Sequence, residues 1–78
     1  MPMPTCPGPD MTRAEAEAYI AEVETYLAGP TMTPKCQILQ EACDCLRCAD
    51  DAPFPDLCNR LRELGGDHEC TSLNCGSD

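Results

Sequence analysis

Eight cysteines hold most of the chemistry open to this chain: Cys6, Cys36, Cys43, Cys45, Cys48, Cys58, Cys70 and Cys75. Thiols pair into disulfides, ligate soft metal ions or act as redox nucleophiles, and spacing and surroundings separate the three. Eight in 78 residues is the density at which a short chain reads as a disulfide scaffold. The even count is what complete pairing requires.

Four of the eight crowd into Cys36-Gln-Ile-Leu-Gln-Glu-Ala-Cys43-Asp-Cys45-Leu-Arg-Cys48. On a helix, Cys36 and Cys43 fall roughly 20° apart on one edge, and Cys45 and Cys48 roughly 60° apart on the far side. Cys36 and Cys43 are then about 10 Å apart along the axis, beyond the Cα separation of about 4.4–6.8 Å that a bridge allows. Cys43 and Cys45 point apart, and a Cys45–Cys48 bridge would be strained. These four are therefore expected to pair with the four outside: Cys6, Cys58, Cys70 and Cys75. Chain direction favours Cys36–Cys70 and Cys43–Cys75, with Cys45 and Cys48 shared between Cys6 and Cys58.

The competing chemistries are weaker. Cys43-Asp-Cys45-Leu-Arg-Cys48, joined by His68, could hold zinc or Cu(I), and an intracellular thiolate metal-binding protein is the main alternative. However, the Cys45–Cys48 pair has no second CxxC to complete a zinc site. As a redox motif this pair lies at a helix end, where the dipole and Asp44, Asp50 and Asp51 disfavour the thiolate. A third reading takes Leu61-Arg-Glu-Leu64-Gly65-Gly66 as a double-glycine leader, with Asp67–Asp78 as the core of a modified peptide. It leaves the other six cysteines without a purpose. Catalysis has little support: one His (His68) and two Ser (Ser72, Ser77) offer no triad, and no phosphate loop is present. No enzyme, cofactor or resident metal is expected.

The elements that must position these thiols are helical. Thr12-Arg-Ala-Glu15 is a capping box, and Ala16, Tyr19, Ile20, Val23, Tyr26 and Leu27 follow at helical spacing up to Gly29-Pro30. Thr33-Pro34 starts a second helix and Pro55-Asp56 a third, with Leu57, Leu61 and Leu64 on one face and Gly65-Gly66 as its stop. The spacing predicts an all-α, disulfide-rich three-helix bundle with helices at about 13–28, 34–49 and 55–64. Residues 1–11 form an extended Pro-rich arm and 67–78 a polar tail tethered by disulfides, the whole of 1–78 making one domain.

Size and charge frame the functional expectation. With no Trp, one Phe and two Tyr, a core of this size needs cross-links. Fourteen acidic residues against five basic ones give a net charge of −9, which disfavours nucleic acid and anionic lipid and suits a partner with a basic surface. No stretch is long and apolar enough to insert in a membrane. Met1-Pro2-Met3-Pro4-Thr5 has no basic start or apolar core, so the chain reads as a mature form with its leader removed or as a protein kept inside a cell. The disulfide density favours a secreted, extracellular protein. It would act non-catalytically on a protein receptor or target, as signalling peptides, pheromones, toxins and effectors do. An acidic bundle of this kind is similar in architecture to the three-helix pheromones of ciliates, although the cysteine spacing matches no family pattern. The candidate contact residues are Phe54, Leu57, His68 and Leu73.

Overall fold

The computed structural model describes residues 3–75 and contains three helices: α1 (Arg13–Ala28), α2 (Lys35–Cys45) and α3 (Pro55–Asp67). Each packs on the other two, and no strand occurs among the described residues. The extended arm before α1 and the tail after α3 lie against this frame.

The start of α1 is built as its sequence requires. The Glu15 N–H donates to Thr12 Oγ1 (3.2 Å) and the Thr12 N–H to Glu15 Oε1 (2.8 Å), closing the capping box. Its apolar stripe buries Ala16, Tyr19, Ile20, Val23 and Leu27. Tyr26 is only half-buried, and its phenolic oxygen accepts a bond from the Thr31 hydroxyl (3.0 Å). Residues with 2 % exposure or less from all three helices, among them Ile20, Ile38, Leu39 and Leu61, meet in one core together with Leu46. Four buried cysteines (Cys43, Cys48, Cys58 and Cys75) belong to the same core.

The second and third helices depart from their expected limits. Thr33 does not cap α2; Pro34 is the boundary residue, and its carbonyl accepts from the N–H groups of Gln37 and Ile38. At its other end α2 stops at Cys45 instead of continuing to residue 49. Cys48 N–H donates to Cys43 O (3.0 Å) and Arg47 N–H to Asp44 O (3.1 Å), with Arg47 at φ 53°. This is the bonding of a Schellman turn, in which the left-handed position is normally glycine. Arg47 occupies it here, so no glycine marks the stop.

The opposite error arises in α3, which runs through Gly65-Gly66 to Asp67. Its end repeats the same turn: Cys70 N–H donates to Gly65 O (2.9 Å), Glu69 N–H to Gly66 O (3.2 Å), and Glu69 lies at φ 57°. Gly65 is required by packing rather than by backbone freedom. A Cβ added there would meet Leu73 Cδ2 at 2.5 Å, whereas one at Gly66 meets nothing within 4 Å. In both helices the residue after the left-handed position is a cysteine in a disulfide, Cys48 and Cys70. The cross-link holds the turn where glycine would otherwise be needed.

These two glycines should respond oppositely to the same change. Gly65→Ala is expected to cost about 1–3 kcal/mol, the range for overpacking. Gly66→Ala should stabilise by about 0.5–1 kcal/mol, because alanine loses less backbone freedom in a helix. Urea unfolding of the oxidised proteins measures both, and equal effects of one sign would refute the assignment.

Candidate functional site

All eight cysteines are paired, and the four bridges set the geometry of everything else. Cys6 of the arm joins Cys45 (Cα–Cα 5.8 Å), and Cys36 joins Cys70 of the tail (5.4 Å). Cys43 joins Cys75 (5.1 Å), and Cys48 joins Cys58 of α3 (5.7 Å). Cys36 and Cys43 thus tie down the tail from one edge of α2. Between them, Gln40 adds a reciprocal pair of hydrogen bonds to the tail: Asn74 N–H donates to Gln40 Oε1 (2.8 Å) and Gln40 Nε2 to Asn74 O (3.0 Å). Cys45 lies on the other side of the helix and holds the arm.

The alternative metal grouping of Cys43, Cys45, Cys48 and His68 is not brought together as a set. Cys45 is bridged to Cys6, away from Cys43 and Cys48. His68 is the C-cap of α3, half-buried, and its carbonyl oxygen lies 3.6 Å from Cys36 Sγ and 3.8 Å from Cys70 Sγ. Those sulfurs carry no hydrogen, so these are packing contacts and not hydrogen bonds. A different sulfur group does assemble: Cys43, Cys48 and Cys75, all buried, with sulfurs within 4.8 Å of one another.

Of the candidate contact residues, Leu57 is buried and the other three are half-buried. Leu57 is 4 % exposed and belongs to the core, because the first turn of α3 faces α1 and α2. Phe54 and Leu73 are half-buried and pack against the same core, Leu73 over Gly65. A domain with so few large apolar groups draws them inward. Among the described residues, the large apolar side chain that stands free is Met32, 101 % exposed in the α1–α2 loop. Its loop is held by the Thr31–Tyr26 bond and by Thr33 N–H donating to Thr31 Oγ1 (3.2 Å). The signal for it was in the sequence: a Met between Gly29-Pro30 and Pro34, on no helical stripe.

Charge is distributed unevenly over the surface. Three of the five basic residues are occupied in ion pairs: Arg13 with Asp56 and Glu17, Arg60 with Glu24, and Arg47 with Asp51. Glu22 of α1, Glu41 and Asp44 of α2, and Glu63 and Asp67 of α3 are exposed with no cation within 4.0 Å among the described residues. The Arg13 guanidinium bonds Asp56 through two nitrogens and holds its carboxyl below the ordinary carboxylate range, while Asp56 raises Arg13 in turn. Burial of the Tyr19 ring, and then the charge of Glu41, push the Tyr19 phenol above its ordinary value.

The four disulfides are compatible with an extracellular protein, and no described helix is long and apolar enough to cross a membrane. No protein-family model, curated protein or solved structure matches the chain.

Two titrations follow. Asp56 should titrate below the ordinary aspartate value by NMR, and Arg13→Ala should return it to the ordinary range. Its contribution to stability is present above the unfolded aspartate pKa and is lost as pH falls through the lowered folded value. Tyr19 works in the other direction. The folded phenol has the raised pKa, so its contribution is complete below the unfolded tyrosine value of about 10 and disappears as pH rises through the folded value. Tyr19→Phe should remove that alkaline loss in unfolding experiments run across this range; an unchanged profile would show that the burial has no titration consequence.

Proposed function

We propose that this chain is an extracellular, non-catalytic interaction protein that presents a rigid acidic surface to a protein partner carrying a basic patch. The observation that carries this reading is the combination of a fully cross-linked frame with carboxylates left unmatched on every helix. All of the thiols are used in structural bridges, so none is left to act as a nucleophile or ligand in the oxidised protein. Disulfides on this scale persist in oxidising compartments. A rigid frame also loses little conformational freedom on docking, which favours affinity.

Unmatched carboxylates contribute mainly to encounter rate and partner choice. Met32 supplies an apolar contact within this charged setting. A single exposed apolar side chain is ordinary on a protein surface; here it stands on a loop whose neighbours Thr31 and Thr33 are hydrogen-bonded, and methionine is enriched in interfaces. Signalling peptides, pheromones, toxins and effectors are the functional classes that use such a frame, and the acidic surface is common ground among them.

The reading is tested with oxidised protein immobilised and exposed to the extracellular fraction and cell surfaces of its source. A single saturable partner should be retained at low ionic strength and released at about 0.5 M salt, where screening acts over a few ångströms. Reduced and alkylated chain should retain nothing. Glu41→Lys with Asp44→Lys should slow association, and Met32→Ser should speed dissociation. Intact mass before and after alkylation of natively purified protein provides the prior check. Eight free thiols, or capture unaffected by salt and by all three substitutions, would overturn the proposal.

A further inference from the structure

The convergence of buried sulfurs at the end of α2 suggests a second state of the protein that the interaction reading does not require. We propose that, when its disulfides are reduced, the chain binds one zinc ion through Cys43, Cys48, Cys58 and Cys75. The local CxxC formed by Cys45 and Cys48 would not be the site.

Three features place these sulfurs together before any covalent bond is considered. The first is the Schellman turn after α2. Its hydrogen bond from Cys48 N–H to Cys43 O (3.0 Å) returns the chain over the last turn, where a contact between these two positions is a regular feature of the motif. Second, the Gln40–Asn74 bonds (2.8 and 3.0 Å) hold the tail against α2 one residue before Cys75. Third, Cys58 lies on the buried face of α3 with Leu57 and Leu61, opposite Cys48, and its carbonyl oxygen is 3.6 Å from Cys75 Sγ. The result is a group of three sulfurs within 4.8 Å of one another, with Cys58 next to Cys48. A tetrahedral zinc site with Zn–S bonds of about 2.3 Å has its sulfurs roughly 3.8 Å apart, so once the S–S bonds open Cys43 and Cys75 must move apart and Cys58, bonded to Cys48 but outside the group of three, must close on it.

The donor set matches a structural zinc site in number, softness and burial. All four cysteines are 4 % exposed or less, and two separated pairs supply the ligands: Cys43 with Cys48 across the turn, and Cys58 with Cys75 from α3 and the tail. Without metal, buried thiolates are costly, so the reduced sulfurs would remain protonated thiols. Zinc changes that balance.

The chemistry closes as follows. A thiol or dithiol reductant delivers two electrons and two protons to each of the Cys43–Cys75 and Cys48–Cys58 bonds and is itself oxidised to a disulfide. Zn²⁺ then displaces one proton from each of the four thiols, so affinity falls as the pH is lowered. The ion links α2, α3 and the tail as the two disulfides do, and reoxidation must expel it. Cys45 cannot substitute, since it faces the arm on the other side of α2.

The full chain is reduced with a phosphine, given one equivalent of Zn²⁺, alkylated and mapped by peptide mass. The proposal expects Cys43, Cys48, Cys58 and Cys75 to be protected together, with Cys6, Cys36, Cys45 and Cys70 alkylated. Cys75→Ser should weaken zinc binding at least about tenfold, more than the loss of a supporting group, whereas Cys45→Ser should leave it unchanged. Far-UV circular dichroism, read on the same samples, should show zinc restoring helix to the reduced chain. Protection confined to Cys45 and Cys48, uniform alkylation, or no retained zinc would each overturn the assignment, whether or not the reduced chain folds unaided.

Discussion

Every disulfide in this protein has one end between Cys36 and Cys48, and the other elements are arranged around that segment. α2 is short, 11 residues, yet its three sulfurs leave it in different directions to the arm and the tail, and Cys48 just beyond it reaches α3. A helix can do this because successive residues turn by about 100°. It must also end early: only by breaking at Cys45 can the chain turn Cys48 back toward Cys43 and across to α3. The Schellman turn at Arg47 is therefore central to the whole pattern. It is held by hydrogen bonds, by the buried Leu46, and by the bridge that follows it.

α1 provides the contrast. It contains no cysteine, and nothing covalent fastens it except the arm before it, through Cys6. Its place is decided by five buried side chains and by ion pairs to α3, Arg13–Asp56 at one end and Glu24–Arg60 further along. Exposed pairs of this kind contribute little each, so apolar packing is the main force. The bridges act differently, chiefly by restricting the unfolded chain. In the chain-entropy account, closing loops of 32, 34 and 39 residues is worth about 4 kcal/mol each when taken singly. One part of the fold is thus held by burial and the other by cross-links, and the exposed carboxylates are spread over both.

The two functional inferences use different parts of the same design. Surface recognition depends on side chains that the core does not need, such as Glu41, Asp44 and Met32. Metal binding would depend on sulfurs at the centre of the core and would require the opposite redox state. The oxidised and zinc-bound forms could not share those sulfurs, so each compartment would admit one form only.

The helices were legible in the sequence because their signals are local: the capping box at Thr12 and Glu15, the apolar period of α1, and the proline opening α3. The expectation that the four cysteines of residues 36–48 bond outward was also local, since helical geometry alone keeps them apart from one another. Their partners were chosen by chain direction and by the tail running alongside α2. Two helix ends fall elsewhere than expected because Arg47 and Glu69, not glycine, hold the left-handed positions that stop α2 and α3, and Gly65, the expected stop of α3, serves as a space for Leu73. Likewise, composition alone left Leu57 free to be a surface contact, whereas the packed helices bury it and leave Phe54 and Leu73 half-covered. The sequence by itself determined what one turn of backbone can sense: period, caps, charge and the supply of sulfur. Tertiary structure alone decided which residues a distant segment covers and which sulfurs meet, because those depend on long-range packing that no local pattern encodes.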